Sequence, residues 1–146
     1  MIPNFDAVTG NLPPGEHVAT WPDLVERFGQ TEWRRKLLAG LLEALRLLRE
    51  AGCHRVYVDC SFVTAKEVPG DFDGCWEADG VDFDRIDARL LTFDKGRATQ
   101  KAAFLGELFV ADWEADPHGT LFKAFFQLDR EGRAKGIIVI DLKDSP

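Results

Sequence analysis

Two short runs decide the fold: RVYVDC at residues 55–60 and DFDGCW at residues 71–76. The first run is rich in β-branched and aromatic residues, and the second alternates polar and apolar residues with a period of two, so each predicts a strand. The residues between them include Lys66, Glu67 and Pro69 and are expected to form a loop. The sequence therefore predicts two strands joined by a polar connection.

Two helices are predicted on the N-terminal side of these strands. Apolar residues recur at three- and four-residue steps over residues 31–51, which predicts an amphipathic helix that is ended by Gly52. Thr20 and Asp23 form a capping-box pattern, which predicts a shorter helix over about residues 21–28. The longer helix followed directly by the first strand predicts a tight helix-to-strand connection.

The rest of the chain predicts one domain over residues 1–146, with an α/β (α+β) fold in which helices flank a short mixed sheet. Residues 1–30 are expected to form an N-terminal arm and the short helix. Residues 82–93 fit both a short helix and an edge strand. The remaining elements are predicted to be an extended arm or turn at residues 11–15, a helix from Asp94 or a neighbour to about Leu105 closed by Gly106, a strand at 107–111, a helix at 120–128, and an interior strand at 136–142 that is apolar on both faces.

Composition and charge exclude several classes of function. The chain has 146 residues, 45% hydrophobic and 29% charged, which is typical of one globular domain. The net charge of −7 argues against binding to long nucleic acid, because phosphate binding requires a basic face. The acidity is concentrated in residues 71–87, which contain seven acidic residues and one arginine. Such a segment is expected to face either solvent or a cation.

Cysteine usage predicts the compartment. Cys53, Cys60 and Cys75 are an odd number and lack a C-x-x-C spacing, which indicates buried free thiols in a reducing compartment. A cytoplasmic location follows from this interpretation. The apolar stretches are too short to span a bilayer, so no membrane role is predicted. The four tryptophans and eleven phenylalanines fit core positions, a base-stacking pocket or a partner surface.

A pair of carboxylates is the strongest chemical signal. Asp71 and Asp73 lie two apart on a predicted strand, so their side chains are expected on one face with Cα atoms roughly 6.6 Å apart. A hard cation such as Mg²⁺ binds carboxylate oxygens and completes its shell with water and phosphate oxygens. The same pattern also fits an acidic strand edge that is only solvated. Both interpretations stay open on the pattern alone.

The spacing of Ser61 after a strand and Asp71-Phe72-Asp73 on the next resembles the signature of the nucleotidyltransferase superfamily, which includes DNA polymerase β and small aminoglycoside nucleotidyltransferases. The resemblance implies that Ser61 holds nucleotide phosphates and that the acid pair binds Mg²⁺ or Mn²⁺. It also implies a third carboxylate on a later strand, for which Glu107 is the best placed. Lys66 is a candidate phosphate contact, with a solvated loop lysine as the alternative.

The resemblance implies a metal-dependent enzyme that transfers a nucleoside monophosphate from a nucleoside triphosphate to a hydroxyl acceptor, with Asp71, Asp73 and Glu107 as catalytic metal ligands. Cys60 stands where that superfamily has glycine, which favours the alternative of a catalytically inactive nucleotide-binding or protein-interaction module. A partner protein or a second copy is expected to complete the acceptor site. The chain is also similar to an uncharacterised bacterial family that shares its runs at residues 12–15, 61–64, 66–67, 71–73 and 136–142.

Overall fold

The sheet has five strands in the order β1-β5-β2-β3-β4 in the computed structural model, whose described residues are 2–59, 70–93, 98–129 and 131–144. The elements within these residues are β1 (Gly15–Ala19), α1 (Trp21–Phe28), α2 (Glu32–Glu50), β2 (Arg55–Asp59), β3 (Phe72–Trp76), a 3-10 helix (Ala88–Leu91), α3 (Ala98–Phe104), β4 (Gly106–Val110), α4 (Phe122–Phe125), β5 (Gly136–Asp141) and a 3-10 helix (Leu142–Asp144). This mixed sheet with helices confirms the predicted α+β class. No helix in the described part is long and apolar enough to cross a membrane.

Strand directions are mixed across the sheet. β3 pairs antiparallel with β2 and parallel with β4, while β5 pairs antiparallel with β2 and parallel with β1. The two predicted strands, β2 and β3, are confirmed, and the structure shows that they pair antiparallel. β5 lies between two strands and is buried along nearly its whole length. The prediction of an interior strand, made from its apolar residues on both faces, is therefore confirmed.

One face of the sheet is covered by α2. The helix begins after Thr31, whose hydroxyl accepts a hydrogen bond of 3.1 Å from the Arg34 backbone N–H. Its apolar stripe belongs to the same core cluster as Val56, Val58 and Trp76 of the sheet. Burial of each such leucine contributes about 1.5–3 kcal/mol. The fully buried members of the stripe are Leu37, Leu41, Leu45 and Leu48.

The opposite face carries a smaller apolar cluster beneath α4, and we call it the α4 face. Tyr57, Cys75 and Phe109 lie side by side on β2, β3 and β4. They pack with buried Phe126 and partly buried Phe122. Because side chains alternate along a strand, residues two positions away from these three point to the same face. The α4 face therefore also includes the side chains two positions away from these three, at the end where β2 finishes and β3 and β4 begin.

The sequence pattern did not predict β1, which begins at Gly15, the last residue of the predicted arm or turn, and precedes α1. β1 pairs in parallel with β5, with Gly15 beside Gly136. This pairing joins segments that are far apart in the chain, so no local sequence pattern predicts the strand. The short helix α1 itself is confirmed, together with its capping box between Thr20 and Asp23.

The helix predicted at residues 120–128 is wrong in length, because α4 is a single turn. Leu121 and Leu128, on either side of that turn, each form an isolated antiparallel bridge with another loop. These bridges draw the chain into extended conformations at both ends of the segment. The phenylalanines of the turn still pack onto the α4 face.

Two other elements differ in detail from the pattern. α3 is confirmed as a helix that ends before Leu105, whose φ of +66° stops the helix one residue before the glycine expected to close it. The predicted start at Asp94 lies outside the described residues. Of the two alternatives for residues 82–93, the structure has a short helix, the 3-10 helix Ala88–Leu91 with turns before it, and not an edge strand.

Replacing Gly40 by alanine is expected to lower the free energy of unfolding by about 1–3 kcal/mol. Alanine favours a helix over glycine by up to about 1 kcal/mol. Here, however, a Cβ on Gly40 would lie 1.8 Å from the backbone oxygen of Phe104, so α2 and α3 would have to separate. Urea unfolding of the variant measures the change, with Gly70→Ala as a control because its Cβ would meet nothing within 4 Å. A gain in stability at Gly40 would contradict the close approach of the two helices.

Candidate functional site

Three carboxylates lie side by side on the α4 face, and we call them the acid row. Asp59 of β2 is the register partner of Asp73 of β3, and Asp73 is the register partner of Glu107 of β4. Register partners on adjacent strands present their side chains on the same face, with strands about 4.8 Å apart. The row therefore crosses three neighbouring strands at the end where β2 finishes and where β3 and β4 begin.

The acid row is largely shielded from water. Asp59 is only 2% exposed, while Asp73 and Glu107 are partly buried. One carboxylate oxygen of each of the latter two, Oδ1 and Oε2, is enclosed by the protein. Like charges held close together in a medium of low dielectric repel each other strongly unless a cation lies between or beside them. The row is thus a place where a cation is electrostatically favoured.

Lys135 supplies a cation at one end of the row. Its Nζ lies 3.1 Å from Asp59 Oδ1, and the two side chains are 15% and 3% exposed. Lys135 directly precedes β5, and its backbone N–H donates to the Gln127 carbonyl, which fixes where the side chain starts. This ion pair offsets the charge of Asp59, and Asp73 and Glu107 lie side by side at the β3–β4 end of the row.

The expectation that Asp71 shares a strand and a face with Asp73 is wrong in its first part, since β3 begins at Phe72. Asp71 precedes the strand, and its Oδ2 lies 3.8 Å from Lys101 Nζ on α3. The side chains in this ion pair are 48% exposed for Lys101 and 30% for Asp71, so water screens it. The structure therefore places Asp73 beside Glu107 and places Asp71 next to α3.

The nucleotide-binding candidates lie outside the described residues: these are Ser61 and Lys66, and Cys60 lies there too. Ser61 follows Asp59 by two positions in the chain, directly after the end of β2. In the part of the chain that the structure describes, no group of three or more histidine, cysteine, aspartate or glutamate side chains is arranged to hold a metal ion. The metal ligands that the geometry supports are therefore two adjacent carboxylates, Asp73 and Glu107.

The position of Glu107 depends on the backbone at the start of β4. A Cβ on Gly106 would lie 2.5 Å from both the ring and the carbonyl oxygen of Phe72, so only glycine allows β4 to approach β3 this closely. The buried side chain of Gln100 then caps the outer edge of β4. Its Nε2 donates to the Leu108 carbonyl at 3.3 Å, and its Oε1 accepts from the Leu108 N–H at 2.9 Å. These contacts hold Glu107 beside Asp73.

The groups next to the acid row carry little reactivity of their own. Burial raises the pKa of the Tyr57 hydroxyl, and the hydrogen bond that this hydroxyl donates to Glu77 Oε1 raises it further. Burial also raises the pKa of the Cys75 thiol, and in the core cluster on the α2 side of the sheet burial raises the pKa of Cys53 to about 12. Both cysteines stay protonated at neutral pH, so neither is suited to act as a nucleophile. The chemistry of this face therefore rests on its carboxylates.

Comparison with known proteins gives one match. A family model described as a family of unknown function, DUF6932, matches residues 3–141. The chain belongs to the DUF6932 family. The matched region of this DUF6932 domain contains all five strands and every member of the acid row. No curated protein and no solved structure matches the chain.

Sequence reasoning missed two residues of this DUF6932 site, Asp59 and Lys135. Asp59 ends a run of apolar and aromatic residues and carries no spacing signal of its own. Its partner in the ion pair comes 76 positions later, just before β5. Only the register between β2 and β3 shows that Asp59 lies beside Asp73, and a register of this kind cannot be read from a single sequence. An acidic residue at the end of a predicted buried strand was the one available clue.

Proposed function

We propose that the protein is a metal-dependent nucleotidyltransferase that moves a nucleoside monophosphate from a nucleoside triphosphate to a hydroxyl acceptor. The observation that carries the proposal is the register pair of Asp73 and Glu107 on β3 and β4. This pair lies next to the end of β2, where Ser61 follows in the chain. The superfamily resemblance implies a phosphate-binding serine after one strand, an acid pair on the next and a third acid on a later strand.

The donor set fits Mg²⁺ or Mn²⁺. Mg²⁺ in enzymes is commonly held by one or two carboxylates together with water and substrate phosphates, rather than by a complete cage of protein ligands. Asp73 and Glu107 are two adjacent carboxylates in a partly buried setting, and they would hold the ion. Asp71 would join them by leaving Lys101, because an exposed ion pair contributes only about 0–1 kcal/mol. When bound, the ion would offset the negative charge of the phosphates.

The other site residues would contact the phosphates or position the metal ligands. Ser61 and Lys66 would contact the triphosphate, as the resemblance implies. Asp59, tied to Lys135, is a positioning residue that borders Asp73 on the β2 side. In the reaction, the acceptor oxygen bonds to the α-phosphorus, the bond from the α-phosphorus to the bridging oxygen breaks, and pyrophosphate leaves. The acceptor proton passes to solvent or to a carboxylate of the row.

A second candidate function is a nucleotide-binding or protein-interaction module without turnover. The observation that favours it is that lysines already pair with two of the acids at this end of the sheet, Lys135 with Asp59 and Lys101 with Asp71. A site whose acids are neutralised by lysines needs a metal less than a bare acid cluster does. In this alternative the same fold holds a ligand or a partner and performs no chemistry.

The proposed setting is the cytoplasm, where the buried thiols Cys53 and Cys75 would stay reduced. A partner protein or a second copy of the chain would supply part of the acceptor site. The nucleoside triphosphate is the proposed small-molecule substrate, whereas long nucleic acid is disfavoured by the net charge of −7.

Incubation with each α-³²P-labelled nucleoside triphosphate, Mg²⁺ or Mn²⁺, and cell extract tests the proposal. We expect label to appear on a protein, an RNA or a small molecule only when the protein and the metal are both present. Extract without the protein and the protein with EDTA are the controls. Triphosphate binding without label transfer would instead support a nucleotide-binding module, and an absence of both would contradict the nucleotidyltransferase and leave the protein-interaction module.

A further inference from the structure

A group of exposed, mutually packed aromatic rings lies near the acid row. Phe93 stacks on Phe109, with ring centroids 5.6 Å apart and planes within 10° of each other. Trp113 meets Phe93 edge-on, with centroids 5.9 Å apart. We call Phe93, Phe109 and Trp113 the aromatic shelf. Phe93 is 38% exposed and Trp113 is 45% exposed, so two large rings of the shelf face solvent.

The shelf is held in place from below. Phe109 is only 7% exposed and stacks on Phe122 at 4.3 Å with parallel planes. Phe122 in turn packs against Phe126, which is also buried on this face. The exposed rings therefore rest on a packed stack rather than on a mobile side chain. A surface formed in advance loses little conformational freedom when a ligand binds.

The shelf and the acid row share one strand and one face. Phe109 follows Glu107 by two positions on β4, so the two side chains point the same way with Cα atoms about 6.6 Å apart. Cys75 follows Asp73 in the same manner on β3, and it is the register partner of Phe109. A ligand held at Asp73 and Glu107 thus lies on the same face as the shelf, two strand positions from Phe109, on which Phe93 stacks.

We infer that the aromatic shelf binds the nucleobase, preferentially a purine, of the nucleotide whose phosphates lie at the acid row. This inference rests on the proposed function. A nucleobase is flat and uncharged, and stacking on aromatic side chains is a common way of holding one without sequence-specific contacts. A purine offers a larger ring area to the stack than a pyrimidine does. The amino groups of a base are also compatible with the acidic border formed by Asp112 and Glu114 on either side of Trp113.

The charges near the shelf disfavour other occupants. Asp112 and Glu114, on either side of Trp113 in the chain, would repel an anionic membrane surface or an acidic peptide lying on the shelf, whereas a nucleobase itself is uncharged. The exposed apolar side chains of Leu121 and Phe125 continue this surface beyond the shelf. A flat, uncharged ring fits the part of it formed by Phe93 and Trp113, where the rings are packed together and acidic residues follow in the chain.

Calorimetric titration with adenosine and, separately, with Mg²⁺-tripolyphosphate tests the inference, because the first probe has the base without phosphates and the second has the phosphates without a base. Trp113→Ala and Phe93→Ala are each expected to weaken adenosine binding about 10-fold, as loss of one stacked partner does. Trp113→Phe should retain most of the affinity. Trp33→Leu is the control, because Trp33 is similarly exposed, at 36%, but lies on α2 over the other face.

Each result separates the shelf from the proposed function. Weaker adenosine binding in the shelf variants, with unchanged Mg²⁺-tripolyphosphate binding, would establish the shelf even if no label transfer were found. Adenosine binding that is absent from the wild type, or equal in the wild type and Trp113→Ala, would overturn the shelf even if label transfer were found. A thermal melt of each variant checks that it is folded, and an equal loss in Trp33→Leu would also overturn the inference.

Discussion

Replacing Lys135 by methionine is expected to lower the free energy of unfolding by about 3 kcal/mol, the lower end of the range for breaking a buried ion pair. The partner carboxylate, Asp59, is 2% exposed and would lose the ammonium group that lies 3.1 Å from it. Asp73 lies beside Asp59 in the register, so the remaining negative charges would also repel each other more strongly. Urea unfolding at neutral pH measures the change.

Two further variants show whether the ion pair is the cause. Lys101→Met removes the exposed, 3.8 Å pair with Asp71 and is expected to cost less than about 1 kcal/mol. Adding Asp59→Asn to Lys135→Met should recover most of the lost stability, because the buried charge is then removed along with its partner. Equal stability of Lys135→Met and the wild type would contradict the buried pair.

Replacing Asp73 by asparagine is expected to reduce label transfer about 100-fold or more, since even the outer partners of metal ligands typically contribute 10–100-fold. Millimolar Mg²⁺ or Mn²⁺ should raise the melting temperature of the wild type by mass action, and this shift should be lost in Asp73→Asn. Without metal, the variant should be as stable as the wild type or more so, because one of the neighbouring negative charges is gone.

Asp79→Asn is the matched control for Asp73→Asn. It makes the same change in net charge within the same acidic segment, but Asp79 is exposed and follows the end of β3. Its metal response and its label transfer should equal those of the wild type. An undiminished metal shift in Asp73→Asn, or an equal loss in Asp79→Asn, would mean that the acid row does not hold the metal.

Elements with strong local signals could be predicted from the sequence. The apolar stripe of α2 and the capping box at Thr20 are short-range patterns, and both elements form where the patterns indicate. β2 and β5 are rich in residues that favour strands, β3 alternates polar and apolar residues, and all three form as expected. β1 could not be predicted in this way, because its five residues become a strand only through parallel pairing with β5 at the other end of the chain.

The candidate site was predictable only in part. The spacing of Asp71 and Asp73 indicated an acid pair, and the superfamily resemblance implied Glu107 as a third acid, but the position of Asp73 beside Glu107 follows from the β3–β4 register. Asp59 belongs to the site because β2 pairs with β3, and Lys135 belongs to it because the loop before β5 places its ammonium group beside Asp59. Neither of these long-range contacts produces a local sequence pattern. For Asp71 the sequence pattern predicted too much. The alternation of polar and apolar residues predicted that Asp71 lies on the strand, but β3 begins one residue later, at Phe72.

The central claim is that Asp73 and Glu107 bind a divalent cation together with the phosphates of a nucleotide. Calorimetric titration of the wild type with a non-hydrolysable nucleoside triphosphate, with and without Mg²⁺, tests it most directly, and Asp73→Asn and Asp79→Asn provide the comparison. We expect binding by the wild type and Asp79→Asn that requires Mg²⁺, and binding by Asp73→Asn that is at least about 10-fold weaker. Wild-type protein that does not bind the triphosphate, or binds it equally well without Mg²⁺, would contradict the claim.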